Sequence, residues 1–178
     1  TDTMLHVQAP SSISSGETNV KFEGDATMGA RLSLHNNNTS AGANNQLAFC
    51  DAGGQSTSTI IGYNTDQTNN YGELVFATRN AQGTPPEERL RITSDGKIGI
   101  NDSAPERTMD VRGSNCMIQL EGTAGSGRQW SLCSTDNATG SGVDGGPSGT
   151  FAIYDDTAGQ ARLRIDSNGN ARFLVTGG

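Results

Sequence analysis

The sequence predicts an all-β protein built from two repeated small antiparallel units, and three observations carry that expectation. Apolar residues recur at every second position in short runs, the pattern of half-buried strands. Stretches rich in Gly, Asn, Ser and Thr separate the runs. One stroke is written twice: ERLRITSDGKIGI over 88–100 returns as ARLRIDSNGNARF over 161–173.

Along the chain, the first unit opens with Met4-Leu5-His6-Val7. It continues through Leu32-Ser33-Leu34, Leu47-Ala48-Phe49-Cys50, Phe76-Ala77 and Arg89-Leu90-Arg91-Ile92. The second opens with Thr108-Met109-Asp110-Val111 and runs through Ile118-Gln119-Leu120, Trp130-Ser131-Leu132-Cys133, Phe151-Ala152 and Arg162-Leu163-Arg164-Ile165. Block order is kept while loops change length, which describes a divergent duplication. The polar link Asn101-Asp102-Ser103-Ala104-Pro105 sets the units at 1–104 and 105–178. Pro85-Pro86-Glu87-Glu88 is the best helix start, but Leu90, Ile92, Ile98 and Ile100 follow with period two, so a strand is expected.

The repeated stroke has a definite register as a hairpin. A two-residue turn at Asp95-Gly96 would put the apolar residues of its strands on opposite faces. A three-residue loop, Ser94-Asp95-Gly96, pairs Ile92 with Ile98 and Leu90 with Ile100 and makes one face apolar. The second copy, looped at Ser167-Asn168-Gly169, pairs Ile165 with Ala171 and Leu163 with Phe173, and sets Arg164 opposite Arg172. Such a loop is a type I turn followed by a left-handed residue, so Gly96 and Gly169 are expected at positive φ. The alternative is a glycine that merely bends one strand of an intertwined shaft.

Composition bounds the rest. Ile, Leu, Val and Phe make up about 17% of the 178 residues, which leaves a thin core for a monomer and favours repetition or oligomerisation. Net charge is -7 and pI about 4.7, which argues against nucleic acid. No apolar run approaches the ~20 residues of a membrane span, and no signal peptide is visible. Cys50, Cys116 and Cys133 form no CxxC pair and read as small buried apolar residues, as in a reducing cytoplasm.

The stretch RLRITSDGKIGIN, followed by Ala104-Pro105 and then Met109-Asp110-Val111, resembles a linker of bacteriophage and algal-virus tail fibres and of trimeric bacterial adhesins. Asn101 stands where that family often has a second glycine, and Asn170-Ala171-Arg172-Phe173 departs further from the pattern. The resemblance implies an elongated homotrimeric, non-enzymatic fibre that links a virion to its host-contacting tip. It implies a location in the virion tail fibre after assembly in the host cytoplasm, with a bacterial cell surface as the alternative. The partners would be the chain itself, adjacent virion or fibre proteins and a host surface glycan, with no cofactor, nucleic acid or membrane insertion. The trimer core would be Leu90, Ile92, Ile98, Ile100, Leu163, Ile165 and Phe173.

The long polar stretches 36–45 and 136–149 are candidate contact loops, through Asn36, Asn37, Asn38, Asn44 and Asn45 and through Asp136, Asn137 and Asp144. Solvated connectors are the plainer reading. Other signals are weak. The GxGxxG match over 140–145 runs into Gly146-Pro147, which cannot open the helix a dinucleotide site requires. The stretch 166–170 starts like a calcium loop, but Ala171 and Gly177 stand where glycine and a bidentate Glu belong, so a turn is expected. Asp155-Asp156 reads as an exposed acidic turn, and His6 and His35 lack any metal-site context.

Overall fold

The computed structural model describes residues 32–135 and 149–174. The chain divides between Asn37 and Asn38, and every described strand lies in the unit Asn38–Gly178. The protein is all-β, with two sheets and no helix among the described residues.

The first sheet follows chain order: β1 (Asn44–Cys50), β2 (Ser56–Asp66), β3 (Tyr71–Thr78), β4 (Glu87–Ile92), β5 (Ile98–Ile100) and β6 (Met109–Val111). All neighbours are antiparallel except β5 and β6, which run parallel. The second sheet is a meander of β7 (Asn115–Glu121), β8 (Gln129–Thr135), β9 (Thr150–Asp155), β10 (Gln160–Ile165) and β11 (Ala171–Phe173). The strand Met109–Val111, which opens the second unit in sequence, pairs into the first sheet, so the sheets divide at 112–114.

Turn chemistry fixes these meanders. Asp51 accepts the backbone N–H groups of Gly53 and Gln55, each at 2.9 Å, to close the β1–β2 turn. Asp66 does the same for Thr68 and Asn69 before β3. The β4–β5 loop is Ser94-Asp95-Gly96, because Thr93 N–H donates to the Lys97 carbonyl at 2.9 Å. Its strands pair Leu90 with Ile100 and Ile92 with Ile98. The β10–β11 loop is built alike, and pairs Leu163 with Phe173, Arg164 with Arg172 and Ile165 with Ala171. Gly96 and Gly169 take φ of 84° and 82°, the left-handed conformation this register needs.

Register also reveals a duplication strand by strand. Counting back from the hairpins, β1 to β5 correspond to β7 to β11. Leu47 pairs with Ile60 and Ile60 with Phe76, as Ile118 pairs with Leu132 and Leu132 with Ile153. Leu74 meets Ile92 as Phe151 meets Ile165. This differs from the block alignment of the sequence. Leu47–Cys50 matches β7 and not Trp130–Cys133, and Leu32-Ser33-Leu34 carries no strand. The strand absent from that alignment is β2, whose adjacent Ile60 and Ile61 break the period of two and point to opposite faces.

The connection from β5 to β6 is short for a parallel pair. After Ile100 the chain turns at Asn101, held at φ 53°, and crosses back over Gly99. A Cβ on Gly99 would collide with the Asp102 carbonyl. Asparagine tolerates the left-handed region better than most residues, which suits it to position 101.

Candidate functional site

The register sorts the large side chains onto one face of each sheet. In the first sheet that face carries Leu47, Phe49, Ile60, Leu74, Phe76, Leu90, Ile92, Ile98, Ile100, Met109 and Val111. In the second it carries Ile118, Leu120, Trp130, Leu132, Phe151, Ile153, Leu163, Ile165, Ala171 and Phe173. Nine equivalent positions hold apolar residues in both meanders: Leu47/Ile118, Phe49/Leu120, Ile60/Leu132, Leu74/Phe151, Phe76/Ile153, Leu90/Leu163, Ile92/Ile165, Ile98/Ala171 and Ile100/Phe173; towards the margins of the face the match lapses, with Ser58 against Trp130, Gly62 against Ser134, Asn45 against Cys116 and Thr78 against Asp155.

These faces are open. Leu47, Phe49, Leu74, Phe76, Leu120, Leu132 and Phe151 are all exposed, and Phe173 reaches 81%. The extensive strand contacts run only between neighbours within one sheet. Burial of the kind that stabilises a core is instead on the reverse faces, where the side chains are smaller. Val75, Ala77 and Ile61 are buried in the first sheet, and Cys133, Ala152 and Ala161 in the second.

Long polar side chains cover those reverse faces. Arg91 lies 5.7 Å from the centre of the Tyr63 ring, pairs with Glu73 and donates to Glu88 at 2.5 Å. The Glu88 hydrogen bond is the main reason the guanidinium is held more firmly protonated than usual, against its partial burial. At the end of β9 in the second sheet, on the side of its cross-strand partner Trp130, Asp155 is 1% exposed and accepts from Arg128 at 2.5 Å, from Arg162 at 2.9 Å and from the Ala158 N–H at 3.1 Å. Burial pushes its carboxyl up, but the two arginine hydrogen bonds outweigh this and hold it down at about 2. Asp155-Asp156 is therefore not the exposed acidic turn that the sequence suggests. Asp156 is half-buried and accepts from the Ser131 hydroxyl at 2.7 Å.

The other expected features fall as follows. Leu90, Ile92, Ile98 and Ile100 share the apolar face of the first sheet, and Leu163, Ile165 and Phe173 that of the second. Asn36, Asn37 and Asn38 are exposed and outside strands, whereas Asn44 and Asn45 are not loop residues: they open β1 and pair with Tyr63 and Gly62. Asp136, Asn137 and Asp144 lie outside the described residues, as does the GxGxxG stretch. Asp166 accepts from the Asn168 and Asn170 N–H groups at 2.9 Å, which makes 166–170 a closed turn. Of the cysteines only Cys133 is buried; Cys50 is exposed, Cys116 is half-buried, and all three are free thiols. Among the described residues no cluster of three or more His, Cys, Asp or Glu is placed to hold a metal.

A depression of about 420 Å³ lies where the link meets the second sheet, lined by Asp102, Glu106, Asp110, Arg112, Cys116 and Ser134 among others. Its acids are committed to the link itself. Asp102 accepts the Ala104 N–H at 3.1 Å and sits 3.6 Å from Arg112, and Asp110 accepts the Glu106 N–H at 3.1 Å. The largest apolar features among the described residues are thus the two sheet faces. No protein-family model matches the chain, and a search of curated proteins finds no match.

Proposed function

We propose that the chain is a structural, non-enzymatic module of a homotrimeric fibre, of the kind found in viral tail fibres, linking a virion to a host-contacting tip. The observation that carries the reading is the pair of open apolar faces, apolar in both sheets at nine equivalent positions. An apolar face that is largely exposed among the described residues, and recurs in both copies of a duplication, supports a role against a partner.

Its size fits that role. With strands ~4.8 Å apart and ~3.3 Å per residue, the two faces span on the order of 700 Å² per copy. One side of a standard stable interface contributes ~800 Å². Threefold closure lets each apolar face meet its symmetry mates and leaves the axis free for extension. The number three rests on the linker resemblance. Self-association, contacts with neighbouring fibre or virion proteins, and a virion location belong to the same reading. Binding of a host glycan through exposed Asn36–Asn38 is the companion role to test once the assembly is known.

Light scattering on the purified chain tests the proposal. A trimer is expected; a folded monomer at micromolar concentration overturns the fibre reading, and a dimer overturns the threefold arrangement.

A further inference from the structure

The reverse face of each sheet carries an arginine at the same place, and the two places have opposite charge. In the first sheet Arg91 faces Gly99 across the β4–β5 pair, lies over the Tyr63 ring and pairs with Glu73 and Glu88. Register puts Arg164 at the equivalent position of the second sheet. There Tyr63, Glu73 and Glu88 are answered by Thr135, Thr150 and Ala161, so the ring and both carboxylates are gone. Gly99 is answered by Arg172, which faces Arg164 directly. Like charges directly opposite on neighbouring strands destabilise a sheet, and a bound anion offsets that cost.

The two guanidinium groups line a depression of about 160 Å³ together with Asp166, Asn170 and Leu174. Arg164 is half-buried and Arg172 exposed. Leu174 packs against the small core of Cys133, Ala152 and Ala161, so the depression opens on the reverse face and not on the apolar one. The Asp166 carboxylate belongs to its own turn. It accepts the Asn168 and Asn170 N–H groups at 2.9 Å and the Asn170 side-chain amide at 3.1 Å. The side-chain bond from Asn170 is the main reason its carboxyl is held below the usual range, so it stays charged. One cation against two anions around Arg91 has become two cations against one anion around Arg164.

We propose that this depression binds a singly charged carboxylate, free or carried on a small sugar acid, with Arg164 and Arg172 as its donors. The planar guanidinium fork matches the two oxygens of a carboxylate. Each guanidinium has five N–H donors, so whatever Arg164 bonds within the chain, it has donors to give. A single negative charge balances the local excess, whereas a dianion also meets the Asp166 carboxylate. Leu174 offers an apolar contact to the carbon that bears the carboxylate. The site lies on the face opposite to the one used in the proposed assembly, so it stands whatever the oligomeric state.

The test is a titration of the full chain, followed by NMR at the backbone amides of β10 and β11 and at the arginine side-chain N–H groups. Ionic strength is held fixed, because screening alone changes the interactions of exposed charges. Sodium acetate and sodium galacturonate should each give saturable shifts at 164–172. Tighter binding of galacturonate assigns the sugar acid, and equal binding assigns the carboxylate alone. Galactose should give no shift and sodium sulfate a weaker one. Arg172→Ala should weaken binding about tenfold or more, the loss of one charge-assisted contact, with the β1–β5 amides unmoved as proof of the fold. Arg91 and its neighbours, which carry their own carboxylates, should not respond. No saturable shift at 164–172, sulfate binding as tightly as acetate, an unchanged affinity in Arg172→Ala, or equal shifts around Arg91 would each overturn the proposal.

Discussion

The two meanders share a register and differ in how each face is filled. On the apolar side nine equivalent positions hold an apolar residue in both, while Ser58 of the first answers to Trp130 of the second. On the reverse side the central residues shrink but stay apolar, Ile61 facing Val75 in one sheet and Cys133 facing Ala152 in the other, and Arg91 has its equivalent in Arg164. Gly99 in the first becomes Arg172 in the second. Arg89 and Arg162 are equivalent, yet Arg89 donates to the Thr78 hydroxyl at 3.1 Å while Arg162 ends on the buried carboxylate of Asp155. The reverse faces are packed within one chain, where one residue can compensate another, and their side chains change size and partner between the sheets. Among the described residues the apolar faces are largely exposed, and on the proposed fibre reading it is a second copy that keeps them apolar.

The comparison breaks first if the apolar faces are not equivalent in use. Leu90→Asp and Leu163→Asp should each abolish the proposed trimer in light scattering. Each would bring like charges from symmetry mates together in a poorly hydrated interface, an effect of several kcal/mol (about 3–5). If one substitution leaves assembly intact, only the other sheet is at the interface. Next comes Gly99→Ala, which puts a methyl against the Asp102 carbonyl and should cost about 2–3 kcal/mol in urea unfolding. Arg172→Ala, at the matching place in the second sheet, should cost under about 0.5 kcal/mol, as an exposed substitution does. Gly96→Val and Gly169→Val should each cost more than about 1 kcal/mol through left-handed strain, and by similar amounts, since their φ values agree within a few degrees.

Acid should separate the sheets. The Asp155 carboxyl is held at about 2 in the folded protein, below its ordinary 3.8. A depressed carboxyl contributes stability that is full above its unfolded value and fades as pH falls through the folded one. Amide exchange in β8–β10 should therefore quicken between about pH 4 and 2. Asp155→Asn should remove that step and leave exchange in β2–β4 as it was. The smallest expected effect is a gain: Asn101→Gly relieves φ 53° and should stabilise by a few tenths of a kcal/mol at most, read as a slight rise in Tm.

The sequence disclosed what turn parity and glycine chemistry control. Pairing of Leu90 with Ile100 and of Leu163 with Phe173 follows from requiring one apolar face, because a slip of one residue would split that face. β2 was hidden because Ile60 and Ile61 sit side by side, each serving a different face, so neither period is visible. The reach of the apolar faces was only partly legible. The hairpin residues stood out, but Leu47, Leu74, Ile118 and Phe151 join them only through pairings that no single strand reveals. Asp155 was misread for a similar reason. Its arginines come from before β8 and from β10, and nothing local marks the three as one cluster.

Every strand pair in both sheets joins neighbours along the chain. Contacts of such low sequence separation form quickly, since little loop-closure entropy stands in the way. Each meander can zip up from its turns while the rest of the polypeptide is still being synthesised. In the proposed assembly, association between copies is slower and depends on their concentration. During that interval the newly made sheets display adhesive surfaces, and crowding or overexpression turns them toward aggregation. Yield of the assembled form should therefore depend on expression rate and temperature more steeply than on the stability of either sheet.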